Sequence, residues 1–256
     1  MIGSRLTDFL LSEGEDPTSR KARDVGHPGA PGHEDILDGM DVKPSELAHR
    51  ELYNILISAV APRPIAWVST VSGSGVANLA PFSFFNAVCA KPPLLAFAPG
   101  MRAPKKSAAA GGDAAASGGE PKDTLRNIRE TQEFVINVVT WELAEAMNLT
   151  SGDYEATINE FELAKVRSAP SKVVRPWQVE ESPVSFECKL HQILDFDPAP
   201  EGGSLVIGEI VSVHIDERHL KEGRLDRDSL DLIGRMGGMQ YARTLQRFEM
   251  VRPKVK

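Results

Sequence analysis

The sequence predicts a mainly β fold, a Greek-key barrel with short helices on its periphery. Three observations carry that expectation. Residues Ile65 to Ala80 read as strand, turn and return strand. Two long strand-like runs, Pro183 to Phe196 and Leu205 to Asp216, flank an Asp/Pro/Gly turn. The helical stretches between strands are short, which argues against a doubly wound parallel sheet.

Taken in order, residues 1–43 are polar, rich in Gly, Pro and Asp, and lack sustained periodicity, as in a mobile extension ahead of a domain over 44–256. Leu47, Leu52, Ile55, Leu56 and Val60 mark a short helical lead-in, which Pro62 and Pro64 end. Ile65 to Val71 is rich in the β-branched and aromatic residues that suit a pleated surface. Ser72-Gly73-Ser74-Gly75 is a turn, and Val76 to Ala80 begins the return strand. Leu94 to Ala98 is a continuous apolar strand. Residues 103–121 are low-complexity Ala, Gly and Ser, read as an inserted loop. Lys122 to Thr131 is a short helix, with Leu125 and Ile128 on one face and Asp123 as its cap. Phe134 to Val139 alternates as a strand, and Trp141 to Leu149 is helical.

Composition narrows the function classes. The 256 residues carry a net charge of −7, which does not suit nucleic acid. No apolar run reaches the length of a membrane span, and no secretory signal is visible, so a cytoplasmic protein is expected. Cys89 and Cys188 lie in apolar strand contexts and are expected to be reduced and buried. They form no CxxC pair. The spacing of His191, His214 and His219 matches no zinc pattern. A Gly-rich dinucleotide fingerprint and a GxSxG elbow are both missing, so neither a Rossmann site nor a serine hydrolase is expected.

The polar residues Ser69, Thr70, Asn78, Ser83 and Asn86 are embedded among Trp67, Phe84 and Phe85. That mixture suits a ligand with a flat apolar body and a polar or anionic tail. Ser69 and Thr70 point to opposite faces of a regular strand, so one of them faces such a ligand, and Trp67 shares the face of Ser69. Lys122 and Thr124 sit at a helix start, where free N–H groups favour an anion; a cap at Asp123 with a solvated Lys122 is the plainer alternative.

The segment PRPIAWVSTVSGSGVANLAPFSFFNAVCAKPP, followed in order by KDTLRNI, EFVINV, SPVSFECKLHQIL, LVIGEIVSVHID and RMGGMQY, resembles the flavin reductase-like proteins of the FMN-binding split-barrel superfamily. The resemblance covers about residues 45–252. It implies a split β-barrel that binds FMN non-covalently, with NADH or NADPH as a transient hydride donor. It places Lys122, Asp123 and Thr124 near the flavin phosphate, and Arg235 and Tyr241 near the flavin. It also implies a homodimer and a downstream electron acceptor. Alternatives left open are a flavin-storing or flavin-sensing module, an electron carrier fed by a partner protein, and a barrel that binds haem or another planar ligand.

Overall fold

A computed structural model describes residues 40–103 and 119–255. The N-terminal extension and the Ala/Gly-rich loop therefore fall largely outside the described residues. Met1–Glu46 and Leu47–Lys256 form separate compact units.

Helix α1 (His49–Ala59) opens the unit, with the Glu51 carboxylate accepting the Ala48 N–H at 3.0 Å. Pro62 and Pro64 bar its continuation. Strands β1 (Ala66–Val71) and β2 (Ala77–Phe82) then form the expected hairpin, with Thr70 opposite Asn78. Strand β3 (Phe85–Ala90) follows after only Ser83 and Phe84, and β4 (Pro93–Phe97) pairs with it. Strands β5 (Met101–Arg102) and β6 (Glu120–Pro121) make a two-rung ribbon where the sequence suggested only loop. Helix α2 (Asp123–Thr131) leads into β7 (Glu133–Asn137). A 3-10 turn at Trp141–Leu143 then runs into helix α3 (Ala144–Leu149). Helix α4 (Glu160–Ala164) and strands β8 (Ser168–Ala169) and β9 (Gln178–Val179) come next. The long hairpin β10 (Val184–Asp195) and β11 (Ser204–Ile215) has 12 residues in each strand. Small hairpins β12 (Leu220–Lys221) with β13 (Arg224–Leu225), and β14 (Ile233–Arg235) with β15 (Tyr241–Arg243), complete the order.

One seven-stranded antiparallel sheet runs β2-β1-β7-β10-β11-β4-β3. Its two edge strands are consecutive in sequence and are joined by two residues. A link that short spans at most about 10 Å, so the sheet must curl until its edges meet. The edges do not hydrogen-bond to each other, and the result is a barrel split between β2 and β3. The curl has local causes. Register shifts insert one bulge into each strand of the long hairpin, at Val211 of β11 opposite Glu187/Cys188 and at His191 of β10 between Leu190 and Gln192. Gly208 opposes Leu190 on β11, and a Cβ there would overlap the Phe134 ring.

Alternation along β1 divides the core. Ala66 and Val68 face the barrel interior, with Phe97, Phe134 and the α2 residues Leu125 and Ile128. Ile65 and Trp67 face outward, under Met147 of α3 and Phe161 of α4. Both faces of β1 are thus covered, which is why its polar residues are buried as well. Cys188 is fully buried as expected, but Cys89 is exposed, because β3 is a free edge strand. No helix among the described residues is long and apolar enough to cross a membrane.

Candidate functional site

Helix α2 docks on the β1–β2 hairpin through buried polar contacts. Asn78 Nδ2 donates to Thr124 Oγ1 at 3.0 Å, and Asn127 Nδ2 donates to Thr70 Oγ1 at 3.1 Å. All four residues are at least nine-tenths buried. The oxygen of the same Asn127 amide, Oδ1, is buried and has no donor. A buried acceptor without a donor is costly in a finished interior, and here it lies in the second turn of α2.

That helix start is open to an anion. Lys122 holds the N-cap position with extended backbone, and no side chain caps the first turn. Asp123, expected as the cap, is turned elsewhere: its carboxylate binds Arg102 at 2.9 Å and Arg126. Arg102 also holds Asp153 at 3.1 Å. With these carboxylates engaged, Lys122 forms no ion pair among the described residues. Burial pulls its ammonium below the ordinary lysine value, an effect Asp153 partly opposes and Arg102 strengthens.

Ser83 and Phe84 lie at the split itself. They line a cleft of about 920 Å³ bounded by α1, the exit of β4 and the β10–β11 turn. That volume lies within the range typical of small-molecule sites, about 300–1,000 Å³. Tyr53 and Phe84 stand 6.4 Å apart on one wall, with Phe196 on another. His49 Nδ1 meets Glu201 at 2.9 Å between α1 and the turn.

The remaining candidates divide. Trp67 is fully buried in the outer core, where Nε1 donates to Thr150 Oγ1 at 2.8 Å. Its ring is packing for the sheet and cannot cover a ligand. Ser69, on the same face, donates to the Trp177 carbonyl and is also enclosed. Phe85 packs against the inner core. Asn86 is exposed on β3, and its Oδ1 accepts the next residue's N–H. Arg235 and Tyr241 face each other across the β14–β15 ladder. The guanidinium donates to the Tyr241 hydroxyl and lies 4.6 Å from its ring centroid. Thr70, Asn78, Thr124, Asp123 and Lys122 are brought together at α2, whereas Ser83 and Phe84 belong to the cleft.

Sequence reasoning missed Asn127, Arg102 and Arg63 as site residues. Asn127 lies one helical turn after Thr124, so it shares the face that meets the hairpin, and that spacing was a usable signal. Arg102 finds Asp123 across the Ala/Gly-rich stretch, which no local pattern reveals. Arg63 is 95% removed from solvent, at 5% exposure.

Comparison with known proteins agrees with this architecture. The family model for the flavin reductase like domain matches residues 58–232. Nitrilotriacetate monooxygenase component B from Bacillus cereus is 31% identical, with a TM-score of 0.73 over 83% of this chain and 98% of that one. The 2-nitrobenzoate 2-nitroreductase of Pseudomonas fluorescens is 32% identical, with a TM-score of 0.70 over 84% of this chain and 96% of that one. A flavin reductase candidate with a split barrel domain from Shewanella frigidimarina shares the fold at 23% identity, with a TM-score of 0.65 over 85% and 100%. With more than half its length matched by that family model, and its sheet split between β2 and β3, the chain belongs to the flavin reductase-like family.

Proposed function

We propose that the protein is an FMN-dependent oxidoreductase that takes hydride from NADH or NADPH and passes electrons to a downstream acceptor. The observation that carries this reading is helix α2: a start with no side-chain cap, a Lys122 with no ion pair among the described residues, and the donorless Asn127 oxygen one turn further on. Lys122 and the first-turn N–H groups suit a phosphate. Asn127 Oδ1 suits a hydroxyl of the polyol that follows it. Ser83 and Phe84 suit the ring, with an aromatic wall and short polar groups. Bound flavin would supply hydride acceptance and electron release, chemistry that no side chain here needs to provide. The chain's own contribution is binding, orientation and shielding from water.

Family membership and the likeness to a monooxygenase component and a nitroreductase support a flavin-linked redox role. We further propose a homodimer. Its support is the exposed edge strand β3, where Val88 is 55% exposed, and the exposed Tyr53, Ile55 and Leu56 of α1. Light scattering on a sizing column tests the dimer, and a monomer at micromolar concentration rejects it.

The test of function is an absorbance spectrum of protein mixed with FMN, before and after adding NADH or NADPH without oxygen. Bound-flavin bands that bleach within seconds are expected. Bands that persist with both donors would reject the nicotinamide-dependent reductase.

A further inference from the structure

We propose that Arg63 and Arg235 form an electrostatic site that favours negative charge on a flavin ring held against Phe84. This rests on the flavin reading above and adds a role for two residues that bind no phosphate in it.

Among the described residues three arginines are not exposed: Arg63, Arg102 and Arg235. Arg102 is neutralised by Asp123 and Asp153. Arg63 and Arg235 have no carboxylate partner among the described residues. Their donors end on carbonyls and a phenol. Arg63 Nη1 donates to the carbonyls of Ile57 at 2.6 Å and Val60 at 2.5 Å, and Nη2 to that of Met236 at 3.0 Å. Arg235 donates to the Tyr241 hydroxyl and the Gly238 carbonyl. Neither set of partners carries a formal negative charge.

The two cations are also neighbours. Arg63 and Arg235 are bridge partners, with reciprocal backbone hydrogen bonds of 2.9 and 2.8 Å. Buried like charges repel, and a sheltered guanidinium without a counter-ion is expensive to hold. Burial lowers the Arg63 pKa, Tyr53 opposes that shift, and Arg235 adds to it. The Arg63 Nε is buried and has no acceptor at all. Direction comes from Phe84: the Arg63 guanidinium carbon lies 5.8 Å from the centroid of that ring, and Phe84 is a wall of the cleft at 43% exposure. A planar ligand lying on Phe84 would have the Arg63 guanidinium at that wall and Arg235 as its backbone neighbour, neither with a carboxylate partner among the described residues. In a chain of net charge −7, such a corner favours whichever ligand state carries more negative charge.

The alternative role is mechanical: Arg63 fastens the C-terminal carbonyls of α1 to the glycine-rich loop. Dissociation constants of oxidised and dithionite-reduced FMN separate the two roles in the full-length protein and in Arg63→Gln, Arg63→Lys and Arg235→Gln. Arg235 is half-buried and holds no helix, so its variant keeps the test open where Arg63→Gln does not fold. The expected result is a preference for reduced over oxidised FMN that falls about tenfold in each Gln variant. For a two-electron couple that is a midpoint shift of about −30 mV. Oxidised FMN should bind within about twofold of wild type, and Arg63→Lys should keep the preference. Unchanged preference in the Gln variants, with or without a loss of thermal stability, overturns the inference and leaves the clasp. Wild-type protein that binds neither form of FMN rejects the flavin reading, and this inference with it.

Discussion

Replacing Lys122 with alanine should weaken FMN binding and leave riboflavin binding almost unchanged. The two ligands differ only by the phosphate, so riboflavin reports everything except the proposed ion contact. Lys122 is already partly desolvated and has no ion pair among the described residues, so much of the cost of burying its charge is met in the free protein. A hydrogen bond between charged partners then contributes about 1.5–3 kcal/mol. That corresponds to an FMN dissociation constant raised about 10- to 150-fold. Stability should change by no more than about 0.5 kcal/mol, because Lys122 makes no side-chain hydrogen bond or ion pair among the described residues. Thr124→Ala is a different experiment. Its hydroxyl accepts the buried Asn78 amide, and stranding that donor costs about 1–3 kcal/mol of stability. Flavin titration by fluorescence quenching measures both ligands. The pH dependence supplies a second arm: burial, opposed by Asp153, lowers the lysine pKa, so FMN affinity should decline as pH rises through that lowered value. The alanine variant should lack that decline. Equal losses for FMN and riboflavin, or no loss for FMN, would refute the phosphate assignment.

Three further outcomes are expected. Gly208→Ala should destabilise the barrel by about 1–3 kcal/mol, read as a lower denaturation midpoint, because the new methyl group meets the Phe134 ring and sits 3.2 Å from Cys188 Cβ; an unchanged midpoint rejects the close-approach account of the bend. Glu187 accepts the amides of Lys172, Val173 and Val174, which outweigh the upward pull of burial and hold its carboxyl below the ordinary glutamate value. Its folded pKa is depressed, so its stabilisation is present above about pH 4.3 and is lost as pH falls through the lower folded value. Glu187→Gln should flatten that acid limb in a denaturation series and uncover amide exchange at 172–174. A thiol reagent should modify Cys89 at once and Cys188 only on unfolding, since Cys188 is fully buried and its thiol is pushed far above the ordinary range by burial and then by Glu187; two fast thiols would contradict the core assignment.

Much of the barrel was legible because its signals are local. The β1–β2 hairpin, α2 and the two long strands each carry their own periodicity or turn residues. Strand β3 was hidden, since Phe85 to Ala90 is an exposed edge and has no buried face to impose alternation. Trp67 was misread for a reason that period-2 reasoning cannot repair. Alternation assigns it a face but does not say that α3 and α4 cover that face. Thr70, Asn78 and Thr124 are short polar residues in apolar runs, and that mismatch flagged them. Only the fold reveals that they bond to one another and to Asn127. Arg63 was passed over as a residue between two prolines, because the carbonyls that hold it belong to α1 and to Met236, 173 positions away.

The split in the barrel and the placement of the cleft are one fact. A closed barrel spends every edge N–H and C=O on a ladder. Here β2 and β3 come together through a two-residue link without pairing. Part of the exposed edge is then satisfied by side chains: Leu79 N–H donates to the buried Glu160 carboxylate at 3.1 Å. Burial raises that carboxyl above its ordinary value, so the edge is guarded by an acid and not by another strand. The rest of the gap, at Ser83 and Phe84, is left to the cleft. A sheet that closed with one more rung between β2 and β3 would be easier to stabilise, but it would leave no wall for a planar ligand between an aromatic face and strand edges.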